Sequence, residues 1–306
     1  MASVTARPPD APLPSGPSPA AAAAAVAPLR TATSAATVRI EPPHGWFDLR
    51  LADLWAYREL LYFFIWRDVK VRYKQTVIGV AWVVIQPLLT MGVFTLFFGR
   101  LAKLPSDGLP YPVFYFSALV PWTYFATALQ NCTNVVVDNQ RVITKVYFPR
   151  LILPISPVLS GLVDFSIGFT VMLIVIFSYG IRPGLHAVWL PAFLLLALLT
   201  ALGVGLWTAA LNALYRDVRY VVPFLMQFWM FASPVVYPSS LIPQRFRWLY
   251  GLNPMTGVID GFRWALTGHA QPPGVQLAAS IFAVLVILAG GLLFFHKMEG
   301  AIADRV

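Results

Sequence analysis

At 306 residues, with 58% apolar and only 11% charged side chains, the chain is too oily for a soluble globule of its size and reads as a polytopic membrane protein. Its net charge of +9 would suit a nucleic-acid binder, but the basic residues fall where membrane topology wants them, and that class is set aside. A single cysteine, Cys132, excludes an internal disulfide and a thiolate metal cluster, and His44, His186, His269 and His296 are scattered with no pair at ligand spacing.

Residues 1–45 are mostly Ala, Pro, Ser and Thr with a few arginines, a composition that cannot bury a core. They are predicted to form a disordered cytosolic tail ahead of one membrane domain over 46–306. The run Ala20 to Ala27, between Pro19 and Pro28, is too weakly apolar for the hydrophobic part of a signal peptide. Over 51–66, LADLWAYRELLYFFIW, the row Leu54, Tyr57, Leu61 and Phe64 lies opposite Asp53 and Glu59. With Arg58 reaching toward head groups, this predicts an amphipathic helix lying in the membrane interface. Arg67, Lys70, Arg72 and Lys74 then crowd together just before the first long apolar run and hold that end in the cytoplasm.

Six apolar runs follow, at about 78–98, 113–137, 152–179, 188–211, 221–237 and 276–295, each compatible with the ~20 residues a bilayer needs. Of the 22 basic residues, only Arg100, Lys103, Arg182, Arg245, Arg247 and Arg263 then fall on the outer side. The positive-inside rule therefore predicts six transmembrane helices with both termini cytoplasmic. In the fourth run Ala197, Ala201, Gly205, Ala209 and Ala213 recur every fourth position and offer one helix face to a close neighbour. The two halves show no self-similarity, which argues against the inverted repeats of many carriers and for a pathway completed by a second copy of the chain. Trp46, Trp66, Trp122 and Trp189 read as residues of interfacial aromatic belts.

Across 216–266 the pattern changes. An apolar stretch short for a membrane helix breaks at Ser233-Pro234 and Tyr237-Pro238, then returns as short aromatic pieces around Asn253-Pro254. Such backbone is tolerated at membrane depth only where protein or a polar cavity covers it. The stretch is either the wall and mouth of a passage or one short span followed by an exposed loop, and its residues alone leave both open.

The chain carries no G-x-x-x-x-G-K-[ST] and no lysine preceded by glycine, so ATP would have to be hydrolysed by another chain, with no cofactor or metal held in this one. Asp164, about ten residues into the third run and roughly 15 Å along a helix, is the one clear intramembrane acid. It is either a proton relay or a carboxylate paired against a neighbouring helix. Trp82 and Gln86 in the first run, with Gln227, Trp229, Phe231 and Tyr237 in the fifth, combine rings and amides as a sugar chain would require, although rings also simply fill helix cores. The segment DNQRVITKVYFP, 138–149, has Arg141 and Lys145 at i,i+4. It fits a short helix contacting an ATPase, and equally a basic loop that sets topology.

The order WRDVKVRYKQTVIGVAWVVIQPL, VYFPRLILPISPVLSGLVDF, YRDVRYVVPFLMQFWMFASPVVYP and LNPMTGVIDGFRWALTG resembles the permease subunit of type-2 ATP-binding-cassette exporters, in particular those that move O-antigen, capsule, teichoic acid or galactan. The resemblance covers about residue 46 to the end. It implies a homodimer of six-span permeases in the bacterial inner membrane, joined to two copies of a separate ATPase that binds ATP and magnesium. By position it implies that Leu54, Arg58, Asp138, Arg141 and Lys145 belong to the ATPase docking surface. The pieces from Ser239 to Leu266 become re-entrant outer gate helices between spans five and six, with Tyr237, Asn253, Asp260 and Arg263 as gate residues. Spans one and five line the channel, in agreement with Trp82, Gln86, Gln227 and Phe231. The implied activity is export of a lipid-linked polysaccharide. An exporter of a drug or small lipid keeps the same fold, a proton-coupled carrier would centre on Asp164, and a membrane glycosyl- or phosphotransferase would need a carboxylate pair that these scattered acids do not supply.

Overall fold

A computed structural model of the protein describes residues 51–74, 79–268, 272 and 274–305. The tail expected over 1–45, Trp46 and the start of the first expected span at Ile78 lie outside the described residues, as do His44 and His269.

Helices, joined by turns and short loops, make up the regular structure of the described residues, with no strand among them. A short α1 (Leu51–Ala56) runs into α2 (Arg58–Lys74), which extends past the expected end at Trp66. No glycine or proline interrupts Arg67 to Lys74, and Arg72 and Lys74 in the last turn favour the negative end of the helix dipole. The basic cluster is therefore helix and not linker. Its apolar row faces inward as patterned: Phe64 is buried and tilted against Phe148 at 5.8 Å, and Leu54, Tyr57 and Leu61 pack around the same cluster.

Helix α3 (Gly79–Phe94) continues as a π-helical turn over Thr95–Leu101. Helix α4 (Tyr111–Asp138) is the centre of the molecule, packing against α6 (Ile152–Ser178) and α7 (Leu190–Leu214). The one-turn α5 (Gln140–Ile143) lies between α4 and α6. A 3-10 turn, Leu185–Trp189, leads into α7. Then follow α8 (Val218–Ala232), the short α9 (Arg247–Gly251), the almost wholly buried α10 (Pro254–Thr267) and the long α11 (Val275–Arg305). Trp66 and Trp189 are exposed as belt residues should be, but Trp122 is buried on α4 beside Phe125.

Four helical stretches among the described residues are long and apolar enough to cross a membrane: Ala81–Leu101, Ile152–Ser178, Leu185–Leu214 and Val275–Glu299. The other two expected spans take different forms. Helix α4 has 28 residues, ample length, but carries many polar side chains. Helix α8 has 15 residues, about 22 Å at 1.5 Å per residue, and stops at Ala232 where expectation ran to Tyr237. The reason is Pro234, which withholds a backbone donor and keeps Ser233 extended, at φ −104° and ψ 155°.

The small-residue face of α7 packs as its spacing requires. Ala197, Ala201, Gly205 and Ala209 are buried, and a Cβ built on Gly205 would lie 2.5 Å from Cys132 Sγ on α4. Gly203, on another side of α7, approaches the backbone of Leu288 on α11, at 3.1 Å from where its Cβ would stand. Gly205→Val is expected to lower stability by about 1–3 kcal/mol through overpacking. A melting curve in detergent checks this, and a wild-type midpoint would show that α4 and α7 are not in close contact.

Candidate functional site

Three groups of side chains bear on function, and the fold treats them differently. The first comprises the ring-and-amide positions. Trp82 and Gln86 sit one turn apart on α3, and Gln227 and Phe231 one turn apart on α8, all four exposed. Both helices lean on α4. The span Ala81–Leu101 has no buried residue, so in a single chain these rings and amides cover no core.

The second group is the loop after α4. Asn139 is buried and anchors it, accepting from Arg67 Nη1 at 2.8 Å and donating to Val135 O at 2.8 Å. Phe148 pins the other end against Phe64. Held at both ends, the loop presents Arg141 and Lys145 to solvent, with Asp138 exposed 4.0 Å from Arg219. The helix in this loop covers only Gln140–Ile143, so Lys145 follows it in a turn and not on the same helical face. Arg58 is also exposed, its guanidinium donating to Trp55 O at 3.3 Å. Leu54 is half-buried and turned into the core, separate from that charged surface.

The third group is the segment after α8. Ser233 to Val236 is buried although it is not helical. Asn253 caps α10 by accepting from Met255 N at 3.1 Å. It also accepts from Trp229 Nε1 at 2.9 Å and donates to Ser233 Oγ at 2.9 Å, so one amide ties α8, the break and α10 together. Tyr237 donates to Phe231 O at 3.0 Å and accepts from Tyr250 Oη at 3.2 Å. Deeper in, Arg263 pairs with Asp260 at 3.5 Å, donates to Pro234 O at 2.7 Å, and lays its guanidinium 3.7 Å from the centre of the Phe114 ring. Tyr111 of α4 donates to Val236 O at 3.0 Å. The four residues expected here are thus brought into one knot with Trp229, Ser233, Pro234 and Tyr250. Pattern reading could not assign those partners, since hydrogen bonds across 13 to 29 residues leave no periodic trace.

Asp164 stands apart from these groups. It accepts from the Arg72 guanidinium and the Tyr73 hydroxyl, both on the last turn of α2. Partial burial, followed by the bond to Asp164, pushes the Tyr73 hydroxyl above its ordinary range and keeps it a donor. The carboxylate is therefore part of a docking contact between α2 and α6. Asp164→Asn keeps one acceptor oxygen where two donors arrive at separate oxygens, and is expected to cost about 1–2 kcal/mol, the pair being only partly buried, while export and its pH profile persist. Loss of export with normal folding would restore the relay.

Comparison with known proteins places these features in context. The family model described as "ABC-2 type transporter" matches residues 59–267. The chain is 30% identical over 257 residues to the O-antigen export system permease protein RfbA of Myxococcus xanthus, covering 83% of this chain and 98% of that protein. It is 29% identical over 240 residues to an RfbA of Klebsiella pneumoniae, covering 78% and 91% respectively. The polysialic acid transport protein KpsM of Escherichia coli is 23% identical over 241 residues, covering 77% of this chain and 92% of KpsM.

Proposed function

The chain belongs to the ABC-2 type transporter family, and from that premise we infer that it is the membrane-spanning subunit of an ATP-driven exporter passing a lipid-linked polysaccharide of O-antigen, galactan, capsule or teichoic acid type across the inner membrane. It is a transport subunit and not an enzyme, and ATP with its magnesium is bound and hydrolysed by a separate ABC ATPase. The observation that carries the substrate class is similarity along nearly the full length of permeases named for O-antigen export and of a protein named for polysialic acid transport.

In this reading the chain crosses the bacterial inner membrane six times, α4 and α8 joining the four apolar helices, with both termini in the cytoplasm. Helix α8 is shorter than the ~30 Å hydrocarbon layer. The covered Ser233–Val236 backbone and the knotted hairpin beyond it complete that crossing, as irregular backbone at membrane depth must be covered. The pieces 239–266 are then re-entrant helices at the outer mouth. Two copies meet through the unburied faces of α3 and α8, so that Trp82, Gln86, Gln227 and Phe231 from each line a shared channel. Helices α1 and α2 lie along the cytoplasmic interface, and two ATPases bind at the loop carrying Arg141 and Lys145.

Deleting the gene and complementing it tests the reading. Loss of the surface polysaccharide, accumulation of its lipid-linked form inside, and co-purification of an ATPase with a dimer of this chain are expected. Normal surface polysaccharide in the deletion strain would remove the assignment.

A further inference from the structure

Helix α4 carries a row of polar side chains that its reading as an apolar span did not register. Thr123, Thr127, Gln130, Asn131, Asn134 and Asp138 fall within an arc of roughly 100° when each residue advances by a 3.6-per-turn helix. In the half of α4 that ends at Asp138, no apolar residue interrupts this face. None of the six is buried, although 19 residues of the same helix are. Asn134 is held by Asn212 Nδ2 at 3.3 Å and Asp138 stands near Arg219, but among the described residues the side chains of Thr123, Thr127, Gln130 and Asn131 have no hydrogen-bond partner. Amides in a membrane helix do not face hydrocarbon unpaired, because each would forfeit its bonds to water. This face therefore borders water or a polar ligand.

A second, independent observation lies on the same row. A cavity of about 550 Å³ opens where α2, α4 and α6 meet, walled by Asn131, Asn134 and Asp138 on one side and by Arg67, Asp68 and Arg72 on another. That volume is within the ~300–1,000 Å³ usual for small-ligand sites. The charges around it cancel, two arginines against two aspartates, and each arginine already holds a carboxylate: Arg67 that of Asp68, Arg72 that of Asp164. A site balanced in this way offers many donors and acceptors but no net attraction for an anion.

We propose that this cavity and the polar row leading from it bind neutral sugar residues of the exported chain at the cytoplasmic mouth of the pathway, with Gln130 and Asn131 as direct ligands of sugar hydroxyls. This rests on the transport reading above and adds to the aromatic positions of α3 and α8 a hydrogen-bonding wall on α4. Amide side chains suit the task because each presents both a donor and an acceptor to a hydroxyl, whatever the linkage.

The test is the double substitution Gln130→Leu/Asn131→Leu in the permease–ATPase complex, since leucine favours a membrane helix and leaves the fold intact. In cells whose surface polysaccharide depends on this permease, export is expected to fall roughly tenfold, each lost hydrogen bond being worth about a factor of two to ten. Protein level and ATPase co-purification should stay normal, and an Asn131→Gln single variant, which keeps an amide, should lose less. Purified complex in nanodiscs is then titrated with oligosaccharides released by mild acid from that polysaccharide, and with inorganic pyrophosphate. Oligosaccharide binding that weakens in the double variant supports the proposal. Saturable pyrophosphate binding lost in the same variant overturns it in favour of an anionic head-group site. Unchanged export by the double variant also overturns it while leaving the transport reading intact, whereas that reading fails separately if the deletion strain keeps its surface polysaccharide.

Discussion

Arg263→Met is expected to lower the stability of the permease by about 3–5 kcal/mol, a fall in melting temperature on the order of 10 °C, and to abolish export with it. Methionine keeps most of the volume but removes three interactions at once: the pairing with Asp260, the bond to Pro234 O and the stacking on Phe114. Asp260 Oδ2 already lacks a hydrogen-bond partner in the buried knot, so removing Arg263 leaves that carboxylate and the Pro234 carbonyl both stranded. Lysine is no substitute, because a point charge cannot reach a carbonyl and a carboxylate while lying flat on a ring. If the loss comes from the stranded acid, Arg263→Met combined with Asp260→Leu should recover a large part of it, a non-additivity that a double-mutant cycle measures. Simple additivity of the two changes, or a wild-type melting curve for Arg263→Met, would show that the Asp260–Arg263 pair does not hold the broken segment to α4.

Charge reversal at the loop after α4 acts on assembly instead of folding. Arg141→Glu with Lys145→Glu should leave the melting behaviour of the isolated permease within about 0.5 kcal/mol of wild type, since both side chains are exposed and neither belongs to the anchors Asn139 and Phe148. The same pair should weaken the contact with the ATPase by at least about a hundredfold, because two favourable charge contacts become repulsive. Export should then disappear while the permease remains in the membrane. The measurement is co-purification of the tagged ATPase from solubilised membranes. Undiminished recovery would move the docking surface elsewhere, the exposed side of α2 around Arg58 being the nearest alternative.

Composition alone marked a membrane protein, and apolar run length anticipated three of the long apolar helices: 152–179 against Ile152–Ser178, 188–211 against Leu190–Leu214, and 276–295 inside Val275–Arg305, a helix that runs ten residues further. These are properties of local chain, since a bilayer selects a contiguous apolar stretch and a helix satisfies its own backbone wherever it lies. The inward row of α2 and the small face of α7 were legible for a related reason, as helical periodicity repeats within a few residues. Pro234 likewise marked the break that ends α8, although the expected span ran on to Tyr237.

What followed the break was decided only by tertiary structure. Asn253 acts as a hub because folding brings Trp229 and Ser233 to it, Arg263 is buried because Pro234 and Phe114 surround it, and Asp164 is paired because the end of α2, some ninety residues earlier, returns to it. The polar row of α4 was present in the letters, but at a spacing of three and four within a run read for length and oiliness, and only the cavity beside it shows which way it faces. Local sequence sets what a helix can bury. Which polar groups find partners depends on contacts between segments far apart in the chain, and no local pattern encodes them.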